Sequence, residues 1–466
     1  MSQFKVKTDG LEATVSFIDQ CLNISQGNIE TNIQYADIID MDDPDDPSTR
    51  ENDEQTTDAN LYYIRPTGRD NKLEMKTLQI SAGSSDMKHL QSELKLKLHE
   101  VNERPTSVVI FLNPIGGSGN SESIFRKEVE PILKIANIKY ELIVSATPDH
   151  AKELPASFDF SKFDVLVIMG GDGTLNDLVN GLLLKKQAAG NIDVNDRNAA
   201  LNQLDIPISF IPAGTGNGMA TITYGCVDVV TSTLHLVKGG IQDYPVFGNF
   251  CENKLVAYSF MLSAYGLFAD LIHSVDSQRW MKKLRYLIVP IWFFLFKGLR
   301  NFEAELTLEY SRKEKEDEQK LSNPDQALET ETEKMTLMNV MALLDKIAFG
   351  IDDGLCEEST KLEFGKEFGL MIYKPAGRFA MIKHFINLGK ATTKEFIDSC
   401  DFLSFKVVKA LTIRLPNSES DIDLLMNLDG QIYKLTKPEI NITLIPNAIK
   451  MVSSYCKSTT QTSNIT

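Results

Sequence analysis

The chain has 466 residues, enough for two or three domains that each bury a core of their own. Apolar residues make up 42% and charged residues 24%, ordinary proportions for a globular protein. The net charge of −16 excludes a general nucleic-acid binder, because phosphate backbones need a basic surface. Six scattered cysteines, with no Cys-x-x-Cys pair, suit a reducing compartment and argue against a zinc site. The opening Met-Ser-Gln-Phe-Lys-Val-Lys lacks the apolar core of a signal peptide, and no run reaches the roughly 18 apolar residues of a membrane span. The expectation is a cytoplasmic protein.

In chain order, residues 1–104 carry short strand-like alternations, such as Ala13 to Phe17 and Ile33 to Tyr35. This stretch is expected to form an extension packing on a later sandwich, with an acidic, solvated loop at 41–60. Residues 105–246 alternate strands with helices. Apolar runs at Val108–Leu112, Tyr140–Val144, Val165–Met169 and Ile206–Ile211 are expected as strands, with helices at 124–133 and 151–158 between them. That rhythm predicts a parallel sheet with helices on both faces and ligands at the strands' carboxyl ends.

Residues 247–456 read as a mostly antiparallel β-sandwich, with strands at Val256–Ser263, Ala304–Tyr310, Met338–Leu344, Leu370–Tyr373, Phe405–Leu415 and Ile440–Ile445. A disordered acidic insertion is expected at 313–334 and a frayed tail at 457–466. The fold class is therefore α/β plus all-β. The apolar run Leu287–Phe296 is too short to span a bilayer, and Pro290 is expected to break a long helix there. It reads equally as core or as the wall of an apolar slot.

Three glycine turns follow these strands: Asn113-Pro114-Ile115-Gly116-Gly117-Ser118-Gly119, Gly170-Gly171-Asp172-Gly173-Thr174, and Pro212-Ala213-Gly214-Thr215-Gly216-Asn217. A glycine turn lets backbone approach a phosphate, and the helix start beyond it adds free N–H groups. Asp172 sits inside the second turn as a base or a metal-side carboxylate, or else as a plain helix cap. No Gly-Lys-Ser/Thr ending is present, which removes the P-loop. A dinucleotide fingerprint is missing as well.

The order of these turns resembles the diacylglycerol kinase catalytic domain shared by sphingosine, ceramide and diacylglycerol kinases. NAD kinases and phosphofructokinases share a Gly-Gly-Asp-Gly turn but not the third turn. Thr147 with His150-Ala151, Ala264–Asp270, Arg279-Trp280 with Arg285-Tyr286, and Asn427–Gly430 resemble further segments of the sphingolipid branch.

The resemblance implies a cleft between a Rossmann-like nucleotide domain and a β-sandwich lipid domain. ATP is expected along Asn113 to Gly119, Thr147, Gly170, Gly171, Gly173, Thr174, Asp177, Gly214, Thr215 and Gly216. Arg279 and Arg285 supply cations, and Asp429, Gly430 and Gln431 form a late turn beside it. Asp172 is the implied general base toward a lipid primary hydroxyl, with Gly171, Asp172, Gly173, Phe268, Asp270 and Ile272 on the acceptor side. Mg2+ is the expected metal, near Asp177. The implied partners are a lipid and a peripheral contact with intracellular membranes, with no obligate protein partner.

A sphingoid long-chain base is the first acceptor expected, with ceramide or diacylglycerol as alternatives. A catalytically silent lipid-binding scaffold is the rival of another class. Three departures bear on this. Ile272 stands where a second acidic residue would meet a cationic amine, Gln431 stands where the late turn would carry Glu, and Ile115 leaves the first turn without a basic side chain.

Overall fold

The computed structural model describes residues 2–43, 51–53, 56–68, 71–101, 104–117, 119–297, 299–310, 328–335, 337–341, 365–387, 400–416 and 420–453. Ser118, residues 313–327 and 342–344, and the tail at 457–466 lie outside them.

The amino-terminal lobe is an antiparallel sheet of β1 (Gln3–Thr8), β2 (Leu11–Phe17), β3 (Cys21–Gln26), β4 (Ile29–Gln34), β5 (Ile38–Met41), β6 (Glu51–Asp53), β7 (Thr56–Pro66) and β8 (Leu73–Gly83). Helix α1 (Ser84–Val101) closes it, setting Met87, Leu90, Leu94 and Leu98 on a core with Val15, Leu22 and Leu61. Two sequence expectations are corrected here. The solvated loop is shorter than 41–60, because residues 56–60 begin a long strand with Thr57, Ala59 and Leu61 turned inward. The lobe also docks on the parallel α/β unit, where the sequence reading had placed it on the sandwich. Ile39 and Ile64 join the core of that unit, the Leu73 N–H donates to Thr231 Oγ1 at 3.0 Å, and Lys238 pairs with Asp37 at 2.6 Å.

The α/β unit orders its parallel strands β10 (Lys139–Val144), β9 (Ser107–Leu112), β11 (Val165–Gly170), β12 (Ile208–Pro212). β11 is buried along its whole length, as an unbroken Val-Leu-Val-Ile-Met run demands when both sheet faces are covered. Phe125, Val129 and Leu133 of a helix running through α2 (Ser121–Ile124), a π turn and α3 (Glu130–Ile135) cover one face, together with α7 (Val229–Lys238). Helices α4 (His150–Ser157), α5 (Asp172–Ala189) and α6 (Gly218–Tyr224) cover the other.

This sheet does not stop at the unit's edge. β24 (Glu439–Val452) pairs parallel with β12 and antiparallel with β13 (Ile241–Cys251), whose other neighbour is β14 (Lys254–Ser259), and with β21 (Ala410–Arg414). Strands β16 (Phe302–Glu309) and β17 (Leu328–Met335) complete ten strands among the described residues. A second sheet orders β20 (Leu403–Val408), β19 (Phe368–Tyr373), β18 (Leu337–Met341), β15 (Leu262–Gly266), β22 (Leu425–Leu428) and β23 (Gln431–Lys434). Phe247, Leu306 and Ile442 of the first sheet pack on Tyr265, Phe368 and Met426 of the second, making the sandwich core.

Further boundaries are corrected. Residues 328–334 of the expected insertion are strand, paired with β16. Phe405–Leu415 is two strands in different sheets, divided at Lys409. Val256–Ser263 likewise divides at Phe260 and Met261. Pro290 does not end its helix: α9 (Arg285–Trp292) carries it and passes into a π turn at Phe293–Lys297. Between β15 and that segment lies α8 (Leu267–Asp276), and α10 (Arg378–Asn387) follows β19.

Candidate active site

The three glycine turns meet at the carboxyl ends of β9, β11 and β12. Asn113 knits the first to the second: its Nδ2 donates to Thr174 Oγ1 at 2.9 Å while its Oδ1 accepts the N–H groups of Ile115 and Gly116. Asn217 braces the third, accepting from Gly214 N–H at 3.0 Å and donating to its carbonyl at 3.1 Å.

The approach is so close that side chains are excluded at two positions. A Cβ on Gly214 would fall 2.3 Å from Gly171 Cα, and one on Gly117, at φ +56°, would fall 2.4 Å from the Ala213 carbonyl oxygen. At Gly116 the nearest atoms would be 3.7 Å away. Gly117→Ala and Gly214→Ala are each expected to cost about 2–3 kcal/mol of stability and to weaken nucleotide binding, with Gly116→Ala near neutral. Thermal melts and nucleotide titrations of the three variants check this; equal behaviour would mean the turns are loosely packed.

Asp172 is the first residue of α5, yet its carboxylate does not cap that helix. It reaches across to the start of α6, where Oδ2 accepts the Gly218 N–H at 3.0 Å and Oδ1 the Met219 N–H at 3.1 Å. Burial raises its pKa above the usual aspartate value, and the two N–H donors partly offset that shift. The result is a desolvated carboxylate, fixed by two backbone dipoles, among the three glycine turns.

One turn further along α5, Asp177 also has a pKa raised by burial, opposed by the Gln431 amide at 3.1 Å and by Lys152 at 3.6 Å. Both contacts fall on Oδ1. Gln431 additionally donates to the Gly173 carbonyl at 3.1 Å, so the late turn does rest against α5. Thr147 lies exposed on the loop after β10, its carbonyl accepting from Ser145 Oγ and the His150 N–H.

Two expected ligand contacts are corrected. Asp429 does not turn its carboxylate toward a nucleotide. Its side chain is buried and accepts from Phe260, Met261 and Leu262 N–H at 2.7, 2.9 and 2.9 Å and from Asn176 Nδ2 at 2.9 Å. It therefore ties the chain crossing between the two sandwich sheets to α5. Burial pushes its pKa up to about 6 against those four donors.

Asp270 is likewise committed. Arg300 Nε and Nη2 hold its two oxygens at 3.0 and 3.1 Å, and Arg300 Nη1 bonds Asp423. The guanidinium lies over the rings of Tyr265 and Phe302.

Ile272 and Phe268 are half-buried on α8. Arg285 pairs with Asp276 at 3.8 Å. Arg279 begins the 3-10 helix Arg279–Leu284, and its side chain lies outside the described residues. Among the described residues no group of three or more His, Cys, Asp or Glu gathers as a metal site.

Several residues that shape the site had no local signal. Arg300 lies 30 positions from its partner Asp270, and Asn217 reads as an ordinary turn residue. Asn176 and Asn180 left a faint one, as two amides one turn apart on a helix face otherwise rich in leucine. Both bond the Tyr258 carbonyl.

Fold and site define a protein with a parallel α/β unit, a continuous β-sandwich and a carboxylate set among glycine turns at the sheet edge. Residues 107–247 match the diacylglycerol kinase catalytic domain. It is 32% identical over 205 residues to ceramide kinase of Mus musculus, a match covering 44% of this chain and 37% of that protein. It is 25% identical over 352 residues to sphingosine kinase 1 of Arabidopsis thaliana, covering 71% and 69%. The chain thus spans little more than a third of the ceramide kinase's length and about two thirds of the plant protein's. A solved structure described as a putative diacylglycerol kinase from Bacillus anthracis str. Sterne shares the fold, with a TM-score of 0.50, 14% identity, and 76% of this chain and 98% of that one covered.

Proposed function

We propose that this protein is an ATP-dependent lipid kinase that phosphorylates the primary hydroxyl of a sphingolipid. The observation that carries the reading is the Asp172 carboxylate, desolvated and fixed at the α6 amino terminus where the three glycine turns converge. Triphosphate oxygens accept from the turn N–H groups and from the starts of the helices that follow, with Arg279 and Arg285 adding positive charge. Asp172 takes the hydroxyl proton as that oxygen bonds the γ-phosphorus. The β–γ bridging bond breaks, and ADP leaves with its electron pair.

Magnesium commonly binds through one or two carboxylates together with phosphate oxygens. Asp177, contacted among the described residues at Oδ1 by Gln431 and Lys152, fits that sparse donor set and would hold the ion, which would neutralise phosphate charge. Asp172→Asn with a lipid panel separates the enzyme from the silent scaffold. Lipid binding by the wild type with no transfer to any lipid would establish the scaffold.

Among acceptors, the geometry favours a neutral amide head of the ceramide type over the cationic long-chain base that whole-chain resemblance puts first. Asp270 spends both oxygens on Arg300, and Ile272 offers no charge, so an ammonium there would lack a counter-ion at a cost of several kcal/mol. The long-chain base remains the second reading, supported by the match over 69% of the plant sphingosine kinase. Ile272→Asp is expected to raise the preference for a cationic base over an amide lipid by about tenfold or more, read as the ratio of kcat/KM values. An unchanged ratio would remove position 272 from acceptor choice.

A further inference from the structure

Two carboxylates and one guanidinium are packed together behind the acceptor helix. Asp270, 3% exposed in the first turn of α8, is held at both oxygens by Arg300, and the third nitrogen of the same fork bonds Asp423. Two rings fix the plane of that fork. Its central carbon lies 5.3 Å from the centre of the Phe302 ring and 5.7 Å from that of Tyr265, and the two rings meet edge to face at 4.8 Å. The Tyr265 hydroxyl in turn donates to the Asp423 carbonyl at 2.7 Å.

As a source of stability this cluster is a poor choice. Its three charged side chains are mostly withdrawn from water, and one cation faces two carboxylates. Apolar side chains of similar volume commonly hold such a place at least as well. What a planar fork does better than any apolar group is fix angles. Three N–H directions in one plane specify where Asp270 and Asp423 stand relative to each other.

Those two carboxylates belong to elements that face the two substrates. Asp270 shares α8 with Phe268 and Ile272, on the proposed acceptor side. Asp423 lies in the 3-10 turn Asp421–Leu424, which runs directly into β22 and so to the late turn. There Gln431 bonds the Gly173 carbonyl and Asp177 of α5, the helix that begins at Asp172. α8 also packs on β22 and β23 themselves. Apolar contact lets a helix slide over a hairpin, whereas the fork pins it at one angle.

We infer that Arg300 is a positioning residue, holding α8 and the late turn in the register that brings an acceptor hydroxyl to Asp172. Its purpose rests on the lipid-kinase reading, while the register can be measured without turnover.

Arg300→Lys keeps the charge and loses the fork. Its kcat with a ceramide-type or long-chain-base acceptor is expected to fall by about tenfold or more, with the acceptor KM and the ATP dissociation constant each within about threefold of wild type. Amide hydrogen exchange is expected to quicken by about tenfold in α8 and, together with it, at residues 429–431. Asp270→Leu, Arg300→Leu and Asp423→Leu combined remove the ions. That variant is expected to melt at or above the wild-type temperature and still to show the lowered kcat.

A wild-type kcat in Arg300→Lys would overturn the inference, as would faster exchange in α8 with residues 429–431 unmoved. A triple variant that keeps both stability and kcat would make the cluster an ordinary fold contact. Should the triple variant not fold, Arg300→Lys decides alone. A wild type that transfers no phosphate to any lipid, while Arg300→Lys loosens α8 and the late turn together, would sink the function and leave the register standing.

Discussion

Asp172→Asn is expected to lower kcat by about 10²–10⁴-fold, the usual contribution of a positioned general base, while leaving the ATP affinity within a few-fold. The carboxylate lies among the turns that would hold the triphosphate, and its only hydrogen-bond partners among the described residues are the Gly218 and Met219 N–H groups. Burial raises its proton affinity above that of an aspartate in water, which brings it nearer the range where a base works at neutral pH.

The sign for activity follows. The base works only when deprotonated, so turnover rises with pH through the raised pKa. Its contribution to stability runs the other way, being fullest below the ordinary aspartate value and fading as pH rises through the raised one. The same two hydrogen bonds also anchor α6, so the amide variant should lose about 1–2 kcal/mol of stability. Kinetics with a lipid acceptor, ATP titration and a melting curve separate the two roles. A destabilised but fully active variant would leave Asp172 as an anchor of α6 and nothing more.

The part of this site that could be read in advance is the part built from contiguous residues. The runs before the three turns are apolar on both faces because helices cover both sides of the parallel sheet, and such runs stand out at any reading distance. The turns stand out for a related reason, since backbone contact between Gly171 and Gly214 or between Gly117 and Ala213 tolerates no Cβ.

What stayed hidden was long-range. The Ile440–Ile445 run was visible as a strand, but nothing local shows that β24 continues to Val452 and joins the parallel sheet to the sandwich. β7 opens Thr-Thr-Asp-Ala-Asn, which reads as solvated until Thr57, Ala59 and Leu61 are seen to alternate inward. β17, at the end of its sheet, is written in Glu and Thr, a composition that blunts an edge but mimics a disordered insertion.

The acidic positions show the same limit at the level of function. Resemblance placed Asp270 and Asp429 beside ligands, and only the partners supplied by Arg300, Asn176 and residues 260–262 reveal two internally satisfied carboxylates. A motif residue can thus be essential for geometry without touching the chemistry.

Asp429→Asn tests that distinction and carries the second large effect expected here. At neutral pH the carboxylate satisfies four donors, three from the crossing at 260–262 and one from Asn176 on α5. An amide of the same size presents its own N–H₂ to that cluster, so at least one buried donor loses its acceptor and another meets a donor. The cost of about 2–4 kcal/mol is moderated by removal of a buried charge.

Because Asp172 and Asn176 stand one turn apart on α5, loosening this tie also shifts the base relative to the sandwich. A fall in kcat/KM of about tenfold is expected from misplacement alone. The pH dependence supplies an independent check. With a folded pKa of about 6 against an ordinary value of 3.8, the native chain holds a proton that the unfolded chain has released across that interval. Stability contributed by Asp429 is therefore full below about pH 4, declines as pH rises to about 6, and is level above that. The variant has nothing to titrate at this position, so its stability should lack that decline. Denaturant unfolding of both proteins from about pH 4 to about pH 7 reads the difference directly. Parallel curves would mean that the buried carboxylate titrates no differently on folding. Wild-type kcat/KM in a destabilised variant would mean that the tie between the sandwich crossing and α5 does not set the position of the base.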